Sequence, residues 1–196
     1  MNNEQPSEQT TGSPYDYYCW VVLFVGTLSV LGALGLGRFG YTAVLPAMQI
    51  GLGMDNTQAG FMASINLIGY LTLSVIGGAL SARFGPRRVV VVGLVFVATG
   101  MVMTGLSNTF LSAAAWRCVT GFGSGAANIA VMGMWGAWFS SKKRGLASGI
   151  AATGSSLGLI IVGPLVPQLL AGFGSGGWRV CWYYYAAATF VIAILA

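Results

Sequence analysis

Histidine is absent from this sequence, and acidic residues nearly so: Glu4, Glu8, Asp16 and Asp55 are the whole set. With no histidine and no carboxylate inside an apolar stretch, the chain offers no Ser/His/Asp triad, no paired carboxylates and no metal-ligand cluster. An enzyme is excluded on that ground, and neither a metal nor a cofactor is expected. Cysteine is scarce too: Cys19, Cys118 and Cys181 each lie in or beside an apolar stretch, without disulfide or metal spacing, and read as buried packing residues. Charge of either sign is sparse, 7% of residues against about 25% in a soluble domain. A surface so poor in charge must face lipid, which makes the chain an integral, multi-pass membrane protein.

What is present is apolar sequence in long runs. Six stretches can be marked: Tyr18 to Pro46, Gln58 to Leu80, Val89 to Leu106, Thr109 to Phe139, Leu146 to Ala171 and Val180 to Ala196. The last is at the lower limit of a tilted span, so the chain is expected to stop in or at the end of a helix. The expected organisation is a disordered cytoplasmic tail over residues 1–16, then a transmembrane domain over residues 17–196. The tail has Pro6, Pro14 and two glutamates but no basic residue, which does not suit a cleavable signal.

The basic residues order the spans. Arg83, Arg87 and Arg88 fall between the second and third stretches, and Lys142, Lys143 and Arg144 between the fourth and fifth. The turns around Asp55 and Asn108 carry none, and Arg179 alone stands on that side. The positive-inside rule puts the amino terminus and both basic loops in the cytoplasm, with the plasma or inner membrane as the expected location. The net charge of +5 is spread over separate turns, so no nucleic-acid partner is expected.

Thirty glycines suit helices that must approach closely in lipid. The runs Gly32–Gly37, Gly121–Gly125 and Gly154–Gly158 read either as plain packing or as sliding faces along a moving pathway. Arg38 and Arg117 are the arginines inside apolar stretches, in the first and fourth. At 1.5 Å per residue, each lies about 12 Å from the outward end of its stretch. If the six spans are two groups of three with inverted topology, these helices are equivalent. The pair then points to one shared polar cavity. With no interior carboxylate to neutralise it, the cavity would be electropositive and suited to a small organic anion. Alternatives stand beside this reading. Arg117 could bond helix carbonyls, and Arg38 could snorkel to the outer headgroups. Asn66 and Tyr70, candidate ligands in the second stretch, and Gln168 in the fifth are residue types more often used as interhelical glue than as ligands.

Several motifs fall in order along these spans. Gly78, Arg83, Gly85, Arg87 and Arg88 match the pattern G-x-x-x-D-R-x-G-R-R/K, with Ala82 in place of the aspartate and Pro86 in place of a basic residue. Arg117-Cys118-Val119-Thr120-Gly121-Phe122-Gly123 matches R-x-x-x-G-x-G. Gly158 with Gly163-Pro164 matches a fifth-helix glycine–proline motif. In these the chain resembles the amino-terminal six-helix half of the major facilitator superfamily. Trp138-Phe139, the run Lys142 to Gly149, Asp16 to Val22 and the turn Gly177-Trp178-Arg179 resemble monocarboxylate and oxalate/formate-type carriers. Gly37-Arg38-Phe39-Gly40-Tyr41 through Pro46 is similar to sugar- or cyanate-carrier-like branches.

The resemblance implies an all-α polytopic bundle of six transmembrane helices in two inverted three-helix repeats, half of a twelve-helix secondary transporter working by alternating access. It further implies a second six-helix half as partner; the small anion expected from the two arginines, with a coupling proton, completes the candidate partners. Gly78, Arg83, Gly85, Arg87 and Arg88 would form the inner gate and topology loop. Gly158, Gly163 and Pro164 would form a helix-five hinge. A non-transporting six-span module, or a half that acts only after assembly with another, is the alternative from chain length.

Overall fold

The computed structural model describes residues 14–196, with side chains from Tyr18 onward except Ala137. Of the expected tail, residues 1–13 lie outside the described residues, while Pro14 to Asp16 already belong to the first helix. That helix, α1 (Pro14–Val30), continues without a break into a π-helical segment (Leu31–Phe39) and then α2 (Gly40–Leu52), so the three form one rod. The other helices are α3 (Asn56–Phe84), α4 (Pro86–Leu106), α5 (Phe110–Trp138), α6 (Ser141–Phe173) and α7 (Gly177–Leu195).

Each reversal has a local cause. Gly53 ends α2 in the left-handed region at φ 64°, returning its N–H to the Gln49 carbonyl. Asp55 then opens α3 with a reciprocal cap: its carboxylate accepts from the Gln58 N–H at 2.7 Å, while the Gln58 side chain accepts from the Asp55 N–H. Gly85, at φ 86°, turns α3 into α4, whose first residue is Pro86, a position where the missing N–H costs nothing. Thr109 caps α5. Arg144 donates back to the Phe139 and Gly136 carbonyls at 3.1 and 2.8 Å, closing the end of α5.

Apart from α5, which lies one residue inside its expected stretch at each end, the helices run longer than the apolar stretches. The rod passes through Pro46 to Leu52, and α6 passes through Pro164 and Pro167 to Phe173. By length and composition, four stretches of the described residues can cross a membrane: Tyr18–Leu52, Asn56–Phe84, Pro86–Leu106 and Ser141–Leu195. The six expected stretches do not reduce to six such spans, and α5 is not among the four. Helices α6 and α7 are joined only by the short 3-10 turn Gly174–Gly176 and count together.

Alternate helix ends meet. At one end the Cys19 thiol approaches the Trp138 carbonyl at 3.3 Å and Arg87 Nε donates to the Ala196 carbonyl at 2.9 Å. At the other, Gln49 donates to Asn56 at 3.0 Å, and Arg179 donates to Gly105 and Asn108 at 2.8 and 3.0 Å. All the basic loop residues except Arg179 therefore share one end. Between the ends, large apolar side chains such as Val75, Ile160 and Ile194 are exposed, as lipid contact requires.

Glycines set the packing. Helix α5 lies between α3 and α4. Within its run, Gly121 and Gly125 touch the Asn66 and Tyr70 carbonyls of α3, while Gly123 turns to the Gly93 carbonyl of α4. Residues two apart point to opposite sides of a helix, so one short run serves two neighbours. On the other flank, Gly154 and Gly158 of α6 rest against Thr27 and Gly35 of the rod, and a Cβ on Gly35 would stand 2.9 Å from the Gly158 Cα. Where lipid removes the hydrophobic drive between helices, such contact supplies the attraction.

Candidate functional site

The π segment is the most unusual backbone in the molecule. Its i→i+5 bonding is rare beyond a single turn, yet it runs over Leu31–Phe39 and contains Gly32, Gly35 and Gly37. Two side chains of α5 hold it. Ser124 Oγ lies 2.8 Å from the Ala33 carbonyl, its one proton shared with the Thr120 carbonyl of its own helix at the same distance, and Arg117 Nη1 donates to the Gly37 carbonyl at 2.6 Å. Arg117 is 1% exposed, and its guanidinium lies 5.0 Å from the ring centroids of both Tyr41 and Trp182. Its own carbonyl accepts from the Asn66 amide at 2.8 Å. Tyr41 in turn donates to the Ala59 carbonyl at 2.9 Å. Arg117 and Asn66 thus lie in one buried seam that joins the rod, α3, α5 and α7.

Arg38 is placed differently. It is half-buried, at the far end of the π segment. Its guanidinium stands 5.1 Å from the Tyr70 ring centroid and 5.7 Å from that of Phe39. Tyr70 is also half-buried, and its hydroxyl oxygen accepts from Asn128 Nδ2 at 2.9 Å. Arg38, Tyr70 and Asn128 therefore form a second polar cluster, contributed by the rod, α3 and α5. The expected grouping of Arg38, Arg117, Asn66 and Tyr70 is divided by burial: Arg38 and Tyr70 are partly accessible, whereas Arg117 and Asn66 are enclosed.

The loop residues Arg83, Arg87 and Arg88 are exposed at the end that carries the other basic loop, with Arg83 over Phe84 at 5.4 Å. Gly78 is exposed and packs loosely, with Ile129 the nearest neighbour to an added Cβ at 3.9 Å. Gly85, Arg87 and Arg88 line a groove of about 760 Å³ with Tyr18 and Trp138. In α6, Gly158 is buried against Gly35, while Gly163 meets open space and Pro164 is exposed. Gln168 is exposed as well.

Ser124, Asn128 and the π segment were not anticipated from the sequence. A signal for the first two existed. They follow Arg117 by about two and three helical turns and so share its face of α5. The π segment had no comparable signal beyond its glycines.

A bundle of long, glycine-packed apolar helices, with polar clusters buried between them and basic turns gathered at one end, is an integral membrane protein. The chain belongs to the Major Facilitator Superfamily, which it matches over residues 27–196. It is 27% identical to a probable sulfoacetate transporter of Cupriavidus necator over 144 residues, 74% of this chain and 33% of that protein. It is 28% identical to the hexuronate transporter of Bacillus subtilis over 160 residues, 82% of this chain and 37% of that one. The chain thus spans about a third of the length of these curated relatives. Among solved structures it is similar to the proton:xylose symporter XylE bound to 6-bromo-6-deoxy-D-glucose, with TM-score 0.76 and 18% identity over 91% of this chain and 44% of that one. It is also similar to an inward-facing, occupied bacterial homologue of the lysosomal transporter Spinster, with TM-score 0.72 and 16% identity, covering 93% of this chain and 43% of that one.

Proposed function

We propose that this chain forms the amino-terminal half of a secondary transporter that carries a small organic anion by alternating access across the cell membrane. In this reading α1 with α2, α3 and α4 make one three-helix repeat, and α5, α6 and α7 its inverted counterpart. A second six-helix half completes the pathway. The amino terminus and the loops at Arg83–Arg88 and Lys142–Arg144 are cytoplasmic.

The observation that carries the reading is Arg38. A half-buried guanidinium stands in a membrane rod, and the chain's four carboxylates are all near its amino terminus or in the Asp55 turn. An arginine turned to lipid costs about 3 kcal/mol even on the lower scales, so Arg38 is best used facing a polar pathway. There it attracts a carboxylate or sulfonate through charge-assisted hydrogen bonds. Tyr70 is its companion ligand. Arg117 acts indirectly, by holding the π segment that presents Arg38, and Asn66 by bonding the Arg117 carbonyl. The relatives named for sulfoacetate and hexuronate transport agree with an anionic substrate. Arg83, Arg87, Arg88, Gly78 and Gly85 serve as the inner turn and gate, and Gly158, Gly163 and Pro164 as the place where α6 adjusts against the rod. With no histidine or mid-span carboxylate in this half, a coupling proton would be carried by the second half.

Full-length protein in proteoliposomes, assayed for uptake and counterflow of sulfoacetate and D-glucuronate, tests this. We expect uptake of at least one anion and its loss in Arg38→Gln. Uptake of a neutral or cationic compound in place of both anions would overturn the electropositive pathway.

A further inference from the structure

We infer that Asn128 is a positioning residue of the anion site: its amide engages the Tyr70 oxygen so that the Tyr70 hydroxyl proton is left free, beside the Arg38 guanidinium, as a second donor to the anion. The inference rests on the proposed role of Arg38.

The argument starts from hydrogen-bond bookkeeping. A phenol has one proton to give and lone pairs to accept with. Asn128 Nδ2 can only donate, and it does so to the Tyr70 oxygen at 2.9 Å. That contact uses a lone pair and leaves the phenolic proton unspent. Among the described residues Tyr70 donates to no internal acceptor, and it is half-buried rather than enclosed. The face of the same ring carries the Arg38 guanidinium at 5.1 Å. Ring plane, hydroxyl direction and cation are therefore set together by three helices. A guanidinium and a phenolic proton side by side suit two oxygens of one oxyanion, carboxylate or sulfonate.

A double-mutant cycle on the full-length protein in proteoliposomes tests this, reading KM and maximal rate with sulfoacetate and D-glucuronate as probes. Losing one hydrogen bond to a charged group is expected to raise KM about tenfold in Tyr70→Phe. Asn128→Leu should raise KM several-fold, with the effect in KM rather than in the maximal rate. In the Tyr70→Phe background, Asn128→Leu should add nothing. Asn128→Ser removes the bond without adding apolar bulk and completes the same cycle if Asn128→Leu does not accumulate. Independent, additive effects, or an unchanged KM in the Asn128 variants, would overturn the inference. Arg38→Gln separates it from the parent reading. If that variant raises KM while the cycle is additive, only the role of Asn128 fails. If Arg38→Gln leaves KM unchanged, the anion site itself fails, and this inference with it.

Discussion

Two arginines that look equivalent along the chain have different work to do, and the difference is measurable. Arg117 is 1% exposed and donates to the Gly37 carbonyl between the Tyr41 and Trp182 rings. Arg117→Met keeps much of the volume but removes the donor. It should destabilise the detergent-solubilised protein by about 1–3 kcal/mol, seen as a lower melting temperature. Among the described residues Arg38 makes no such bond, its contacts being the rings of Tyr70 and Phe39. Arg38→Gln should leave the melting temperature nearly unchanged while lowering anion uptake. Equal melting losses in the two variants would refute the division of labour. Counting residues correctly located both arginines in helices. The same count could not say that one faces its neighbours and the other a more open side, because the direction of a side chain around a helix matters only relative to what packs there.

Among the elements, the rod of α1, the π segment and α2 depends on close approach by α6. A Cβ at Gly158 would collide with the Gly35 backbone. Gly158→Val should therefore separate the two helices and destabilise the protein by about 1–3 kcal/mol. At Gly163, where an added Cβ meets nothing within 4 Å, Gly163→Ala should change stability by no more than about 0.5 kcal/mol. Thermal unfolding of the two variants side by side checks this, and similar losses would argue against the packing described. The turn between α3 and α4 offers a separate test. Gly85 has φ 86° and ψ 142°, a region closed to side chains, so Gly85→Ala should cost about 1–3 kcal/mol in the same assay. The two glycines of α6 were legible as parts of one motif, yet they differ completely in surroundings. Spacing indicates a small residue; only the neighbour shows whether it must be small.

For the whole molecule, the decisive arrangement is the gathering of Arg83, Arg87, Arg88, Lys142, Lys143 and Arg144 at one end, opposite Arg179. In the proposed topology, which follows the positive-inside rule, that end is cytoplasmic. A cysteine introduced at Lys142 should react with a membrane-impermeant maleimide only after the membrane is opened, and one at Asn56 should react in intact cells. The reverse pattern would invert the proposed topology and with it the direction of the pathway.

Much of this architecture was available before any coordinates. Scarce charge, long apolar runs and basic turns determine which segments leave water and which end stays behind, because each peptide or charge placed in lipid has a large transfer cost that depends on composition and length alone. The caps at Asp55 and Thr109 and the turn at Gly85-Pro86 are equally local, since their hydrogen bonds and dihedrals involve residues a few positions apart. What only the tertiary structure decided is how the polar groups are shared. It gave the rod a π segment held by Ser124 and Arg117, enclosed Arg117 with Asn66, and joined Arg38 to Tyr70 and Asn128. Those outcomes follow from the relative rotation of packed helices. Wider i→i+5 bonding shifts the direction of every side chain that follows it, and the partners that stabilise the shift lie some eighty to ninety residues away along the chain.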